Sequence, residues 1–310
     1  MTPKPSPLAV LCAGIIVADA IASPVDDHPE KGRLALVDSV QLHTGGCALS
    51  TASALVKLGV PTALCGCVGD DLFGGVLVGE ARARGLETSG VRVTGELSSA
   101  SVVLDSSDGE RTFLHNPGAS AALTPEDVER ALEATGARWL HIGGALVLPA
   151  LDGEPAAQLL EGARERGLRT SLDPVHDATG GWDRLHSCLP HLTAMCPNLT
   201  EAQGITGQHA PEDCAEWLRH RGVRKVAIKM GRDGAYAADE RHAAHVAPFS
   251  IRAQDETGAG DAFAAGLIYA LLQDWPLDKA VRLGNAVGAI STTGIGASTA
   301  LPELEEALAL

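Results

Sequence analysis

The stretch DETGAGDAFAAG, residues 255–266, passes from two acids and a threonine across Gly258-Ala259-Gly260, meets a third acid at Asp261, and continues as an apolar run that reads as a helix. The free N–H groups and the macrodipole of a helix N-terminus attract anions. Gly258 and Gly260 let the backbone approach such an anion with no Cβ in the way, which suits a phosphate. Asp261 falls in the first turn, where negative charge is favoured and a carboxyl pKa tends to fall. A carboxylate there is expected to stay ionised at neutral pH and to accept a proton from a hydroxyl. A phosphate cradle beside a proton acceptor points to phosphoryl transfer onto an alcohol. From the loop alone, Asp261 as a mere helix starter explains the sequence as well.

Outward from this loop, short apolar runs alternate with helical patterns. Leu8–Val17, PTALCGCVG, ARWLHIGG, LRTSLDP, LTAMCPN and RKVAIKMG read as strands. Gly45–Gly59, DLFGGVLVGEARARG, EPAAQLLEGARERG and AEWLRHRG read as helices, as do Gly258–Gln273 and Leu277–Ser291. This alternation predicts a mostly parallel sheet with helices on both faces. Val25–His43 and Ser98–Asn116 break the rhythm. The second reads as a hairpin turning at Ser106–Gly109, and the first as further strands beside it. One domain, residues 1–310, with a small β excursion at about 18–43 and 98–116, is the expected organisation. Ligands of an open parallel sheet bind beyond the carboxyl ends of its strands. Asp19, Gly45–Gly46, Asp173, Asn198, Gly231 and Asp255–Asp261 all stand at strand ends or helix starts, so the fold is expected to gather them.

Composition narrows the partners. A net charge of −15 over 310 residues argues against nucleic acid as the main partner. Aromatics are 3%, so the core must come from Ala, Leu and Val. Seven cysteines, an odd number with no C-x-x-C, read as buried thiols of a reducing compartment, and a cytoplasmic protein is expected. Leu8–Ala22 imitates a signal peptide, but Asp19 interrupts it and the preceding basic region is thin. No other run is long and charge-free enough to span a bilayer. His242 and His245 form at most a weak metal pair against an ordinary surface strand.

Two further motifs bear on phosphate chemistry. Asn198 and Glu201, in PNLTE, stand three apart at a helix start and share a face. They read either as a capping box or as an amide and carboxylate near a hydrated Mg²⁺. KMGRDGAY, Lys229–Tyr236, is a strand, a tight turn and a strand, either an ordinary hairpin or the lining of a nucleotide phosphate. Neither a G-x-x-x-x-G-K-[ST] loop nor the protein-kinase glycine loop with V-A-I-K is present.

Taken together, the chain resembles the ribokinase-like, PfkB-type carbohydrate kinases over nearly its full length. The family's D-T-x-G-A-G-D signature stands as Asp255–Asp261, and its N-terminal glycine pair as Gly45-Gly46 before a helix ending in LG. CVGDDLFGG and CPNLTEA follow in the family's order. The resemblance implies a three-layer α/β/α sandwich with a mostly parallel central sheet and a small β-sheet lid. It implies an ATP-dependent kinase of a small sugar or sugar-like alcohol, with Mg²⁺ and with K⁺ as an activator. Asp261 would be the base and the Ala259 and Gly260 amides the anion hole, with Gly258 also among the catalytic residues. Asn198, Glu201, Lys229, Gly231, Gly234 and Asn285 would serve the nucleotide, Glu201 acting indirectly through Mg²⁺. Asp255 and Thr257 would serve the monovalent cation. Asp19, Gly45, Gly46 and Ser50 would hold the sugar, and the lid would form a homodimer.

The departures gather at the sugar end. Ser50 replaces a usual Asn, Cys47 a Lys common in ribokinases, and Val17 a favoured Asn; HIGG lacks a Glu. Glu256 stands for the usual Thr, and Lys229 where Thr is common. These favour a neutral sugar or polyol other than ribose. A nucleoside kinase is the family alternative, weakened because Phe113 is the only aromatic of the expected lid. A non-catalytic sugar or nucleotide sensor is a third reading, and it gives no reason for Asp261.

Overall fold

The computed structural model describes residues 8–27, 29, 31–107, 111–175 and 180–310. The strands are β1 (Val10–Gly14), β2 (Val17–Ser23), β3 (Ser39–Gly45), β4 (Thr62–Gly69), β5 (Glu87–Thr94), β6 (Ala100–Asp105), β7 (Arg111–Asn116), β8 (Trp139–Ala145), β9 (Arg169–Pro174), β10 (Ala194–Met195), β11 (Lys225–Lys229), β12 (Ala235–Ala238) and β13 (Ala243–Val246). The helices are α1 (Cys47–Lys57), α2 (Leu72–Ala83), α3 (Pro125–Thr135), α4 (Glu154–Glu165), α5 (Leu199–Thr206), α6 (Pro211–His220), α7 (Ala259–Leu272), α8 (Leu277–Ser291) and α9 (Leu304–Ala309).

The first apolar run divides where one strand was expected. β1 is buried along its whole length and pairs in parallel with β4 and β8 in the middle of the main sheet. After Ile15 and Ile16 the chain enters β2, which belongs to a separate small sheet. The signal-like segment is therefore built into both sheets. The main sheet runs β13-β12-β11-β10-β9-β8-β1-β4-β5. Its strands are parallel except for the antiparallel pairs β11–β12 and β12–β13 at one edge.

Two apolar clusters flank the main sheet. One joins it to α1, α2, α7, α8 and α9, and the other to α3, α4, α5 and α6. This is the expected α/β/α layering. Ala, Leu and Val dominate both clusters, and Trp139 is the largest fully buried side chain. Helix α3 carries a capping box between Thr124 and Asp127, a start signal that the strand–helix reading passed over.

The small sheet runs β3-β2-β6-β7. Its strands fall at residues 17–23, 39–45, 100–105 and 111–116, while residues 108–110 of the expected turn lie outside the described residues. Pairing places His43, Asp19, Ser101 and His115 in one row across the sheet. The opposite face carries the row Leu42, Ala20, Val102 and Leu114. On that face Val40 is 70% exposed and Leu114 62%.

Candidate active site

Helix α7 begins at the glycine turn. Gly258 is its N-cap residue at φ 76°, and a Cβ there would lie 2.5 Å from that of Ala297, so only glycine fits. Ala259, Gly260 and Asp261 form the first turn, with their amide ends toward a cleft of about 860 Å³. That volume lies within the range of small-molecule sites. Asp173 from β9, Asn198 and Glu201 from α5, Lys229 from β11, Gly231 and Gly234 from the turn after it, and Asn285 from α8 line the same cleft. Ten of the expected site residues thus meet around one space, at the carboxyl ends of the sheet strands.

The electrostatics differ from the sequence expectation at Asp261. Burial, reinforced by the charge of Asp173, pushes its carboxyl up to about 7, against Lys229 and a hydrogen bond from the Cys47 thiol, which lower it. The helix start was expected to lower this pKa. Removal from water outweighs that effect here. Glu201 is also pushed up to about 7, by burial and by Asp173.

The Asn198–Glu201 box is formed. Asn198 N donates to Glu201 Oε2 at 2.7 Å, and Glu201 N donates to Asn198 Oδ1 at 2.8 Å. The structural reading of this motif therefore holds, and both residues line the cleft as well. Lys229 Nζ donates to both oxygens of Asp173, at 3.0 and 2.9 Å. Burial works against the ammonium, but Asp173, Cys196 and Glu201 outweigh it and raise its pKa. Sequence reasoning placed Asp173 at a strand end yet gave it no role; the complementary lysine four elements later was the available signal. Asn285 Nδ2 donates to the carbonyls of Val246 and Ala247, at 3.3 and 3.1 Å.

The residues expected to hold a sugar sit beside this cleft rather than in its lining. Gly45, at the end of β3, leaves room for Asp19, since a Cβ there would collide with Asp19 Oδ2. Burial raises the Asp19 pKa, opposed by a hydrogen bond from Ser101 and by His115 and His43. His43 packs against Gly296, in the loop after α8. Gly46 is the N-cap residue of α1. One turn on, Ser50 Oγ is buried with no hydrogen-bond partner among the described residues. Thr51 Oγ1 donates to the Asp261 carbonyl at 3.3 Å and ties α1 to α7.

The expected cation residues lie under the glycine turn. Asp255 is 3% exposed. Thr257 N donates to its Oδ1 at 2.7 Å. Among the described residues no cluster of three or more His, Cys, Asp or Glu side chains forms a metal site, and His245 bonds the Asp233 carbonyl at 2.6 Å.

The model of the family described as pfkB family carbohydrate kinase matches residues 8–304. Ribokinase of Haemophilus influenzae is 29% identical over 301 residues, covering 95% of each chain. The ATP-dependent ribose-1-phosphate kinase of Halopiger xanaduensis is 31% identical over 305 residues, covering 94% of each. The crystal structure of ribokinase from Thermotoga maritima superposes with a TM-score of 0.83 at 23% identity, covering 97% of this chain and 98% of that one.

Proposed function

Since the chain belongs to the pfkB family of carbohydrate kinases and is an ATP-dependent sugar kinase, we propose that Asp261 is its catalytic base and that its acceptor is a neutral sugar or polyol. The observation that carries this is the meeting of a helix N-terminus and a carboxylate of pKa about 7 in one cleft. The amides of Ala259 and Gly260 hold the phosphoryl group in transit. Asp261 takes the proton of the acceptor hydroxyl as that oxygen attacks the γ-phosphorus of ATP. The bond from phosphorus to the β–γ bridging oxygen breaks, and ADP leaves. The proton passes from Asp261 to water afterwards. A carboxyl that titrates near neutrality is well matched to this task.

Asn285 and the turn at Gly231–Gly234 flank the nucleotide. Burial, reinforced by the charge of Asp173, raises the Glu201 carboxyl to about 7, and this pair of acids fits a divalent cation at the phosphates. Asn198 and Glu201 would orient it through water. Mg²⁺ bound there would supply neutralisation of phosphate charge. Asp255, with Thr257, fits a K⁺ that fixes the glycine turn.

Asp19, Gly45, Gly46 and the unpartnered Ser50 hydroxyl form the sugar end. Asp19 accepts from sugar hydroxyls and repels an anionic substituent, and Cys47 adds no positive charge. A phosphorylated pentose, the substrate in the name of the Halopiger relative, is therefore disfavoured. The apolar outer face of the lid fits the same face of a second copy, giving a homodimer. Seven free cysteines, six of them buried, fit the cytoplasm. No helix among the described residues is long and apolar enough to cross a membrane. An ADP-release screen over pentoses, hexoses, polyols, keto-deoxy acids and nucleosides tests the whole reading; nucleotide binding without turnover on any of them overturns it.

A further inference from the structure

Lys229 is buried among acids. Among the described residues that line the cleft, the acids are Asp173, Glu201, Glu256 and Asp261, and the cations are Lys229 and Arg232. Arg232 is exposed on the turn, whereas the Lys229 side chain is 14% exposed. A triphosphate entering this space meets more like charge than opposite charge, and one cation stands deep enough to meet its terminal group. The position of that cation is specific. A Cβ added to Gly260 would lie 3.0 Å from Lys229 Nζ, so the ammonium hangs over the first turn of α7, where the amides of Ala259 and Gly260 emerge.

We propose that Lys229 is a further catalytic residue of the transfer. Its ammonium exchanges part of its contact with Asp173 for the phosphoryl group in transit and holds that group above the α7 N-terminus. The inference rests on the assignment of this cleft to ATP. Asp173 acts through Lys229 as a positioning residue: its two oxygens, 3.0 and 2.9 Å from Nζ, aim the ammonium while the site waits. Every element packed around Lys229 keeps it charged or stays neutral. Asp173 comes from β9, Cys196 from the end of β10, Glu201 from α5 and Asp261 from α7. His141 on β8 is fully buried and neutral, its pKa pushed down to about 3 by burial and by Lys229. The bonds made and broken are those of the transfer above. Lys229 contributes no proton, only a fixed charge placed over the α7 start, where the equatorial oxygens of the group in transit would lie.

Replacing Lys229 alone by Met leaves Asp173 buried and uncompensated, so that variant can fail for lack of a fold. The decisive variant is the double substitution Asp173→Asn with Lys229→Met, which removes both charges and restores neutrality. Circular dichroism and thermal unfolding should match wild type. Loss of kcat should be about 10²-fold, the usual cost of one electrostatic partner of a transition state. ATP should bind more weakly while ADP, which lacks the transferring group, binds as before. Lys229→Arg keeps both the charge and the Asp173 pair, and should recover much of the turnover. Near wild-type turnover in the double variant overturns the proposal and leaves Lys229 as a neutraliser of Asp173. Equal weakening of ATP and ADP, or an arginine variant no more active than the double, also overturns it. Failure of the kinase reading itself would show earlier, in wild-type protein inert across the sugar panel.

Discussion

Asp255 and Gly296 stand 41 positions apart and are joined by a hydrogen bond of 2.6 Å from the glycine amide to Asp255 Oδ2. The other oxygen of the same carboxylate accepts the Thr257 amide, so one buried acid ties the glycine turn to the loop that follows α8. The joint sits directly behind the turn proposed to hold an anion.

A monovalent cation on this joint would offset its charge and stiffen the turn. Turnover in K⁺ should therefore exceed turnover in a large organic cation at equal ionic strength. Initial rates in the two buffers check this, and equal rates remove the cation from the reading.

Asp261→Asn should keep the fold and nucleotide binding while turnover falls by about 10²–10⁴-fold, the usual worth of a general base. Steady-state kinetics beside nucleotide titration measure both. A variant retaining a third or more of kcat, when at least about 10² is expected to be lost, excludes Asp261 from proton transfer.

The raised carboxyls give pH dependence a definite sign. As the proposed base, Asp261 works deprotonated, so kcat/KM should climb as pH rises through about 7. Stability should run the other way. Asp261 and Glu201 both titrate near 7 when folded and near ~4 when unfolded. Between those values the folded state binds more protons, so stability present at low pH is lost as pH rises through 7. Asp261→Asn should accordingly unfold at a higher temperature than wild type at pH 8, with the gap closing at pH 5. Thermal scans at both values decide it, and an unchanged gap would mean the carboxyl is not desolvated.

The end proposed as catalytic was legible because its residues are close in sequence and each has a local reason. Gly258 and Asp261 announce a tight turn and a helix start, and Asn198 and Glu201 announce a box. The Asp261 pKa was not legible. Burial depends on β9 and β11, which bring Asp173 and Lys229 from 88 and 32 positions away. The Lys229–Asp173 pair was hidden for the same reason, since only parallel packing of β9, β10 and β11 brings the two ends together. The division of Leu8–Val17 escaped because both halves are apolar and nothing in their composition marks the change of sheet.

At the proposed sugar end, Asp19→Ala should raise KM for the best sugar steeply, because a hydroxyl that loses its half-buried acceptor costs roughly 1–3 kcal/mol. Nucleotide affinity should stay as it was. Ribose should not head the substrate screen, and Ser50→Asn should shift preference toward it. A screen led by ribose at low KM, or an Asp19→Ala variant with unaltered kcat/KM, refutes this account.

The lid face offers a test of assembly. Val40, Leu42, Val102 and Leu114 form an exposed apolar surface on a four-stranded sheet with two free edges. Light scattering should report a dimer, and Leu114→Asp should convert it to monomer while leaving ATP binding intact. A wild-type monomer at working concentration removes the dimer and spares the kinase.

The passage from β1 to β2 has a consequence for how this enzyme can change over generations. Its two residues are pinned, the Ile15 amide on the Gly143 carbonyl at 3.2 Å and the Ile16 amide on Ser120 Oγ at 3.3 Å. The side chain proposed to meet the sugar is therefore chosen by counting from Gly14, and strand residues alternate between faces. Both neighbours of Asp19 are alanines. Inserting or deleting one residue in the joint would exchange a carboxylate for a methyl group and blind the proposed sugar pocket in one step, without disturbing the cleft at the α7 start. Substitutions can retune this specificity by degrees, whereas a change of length can only erase it.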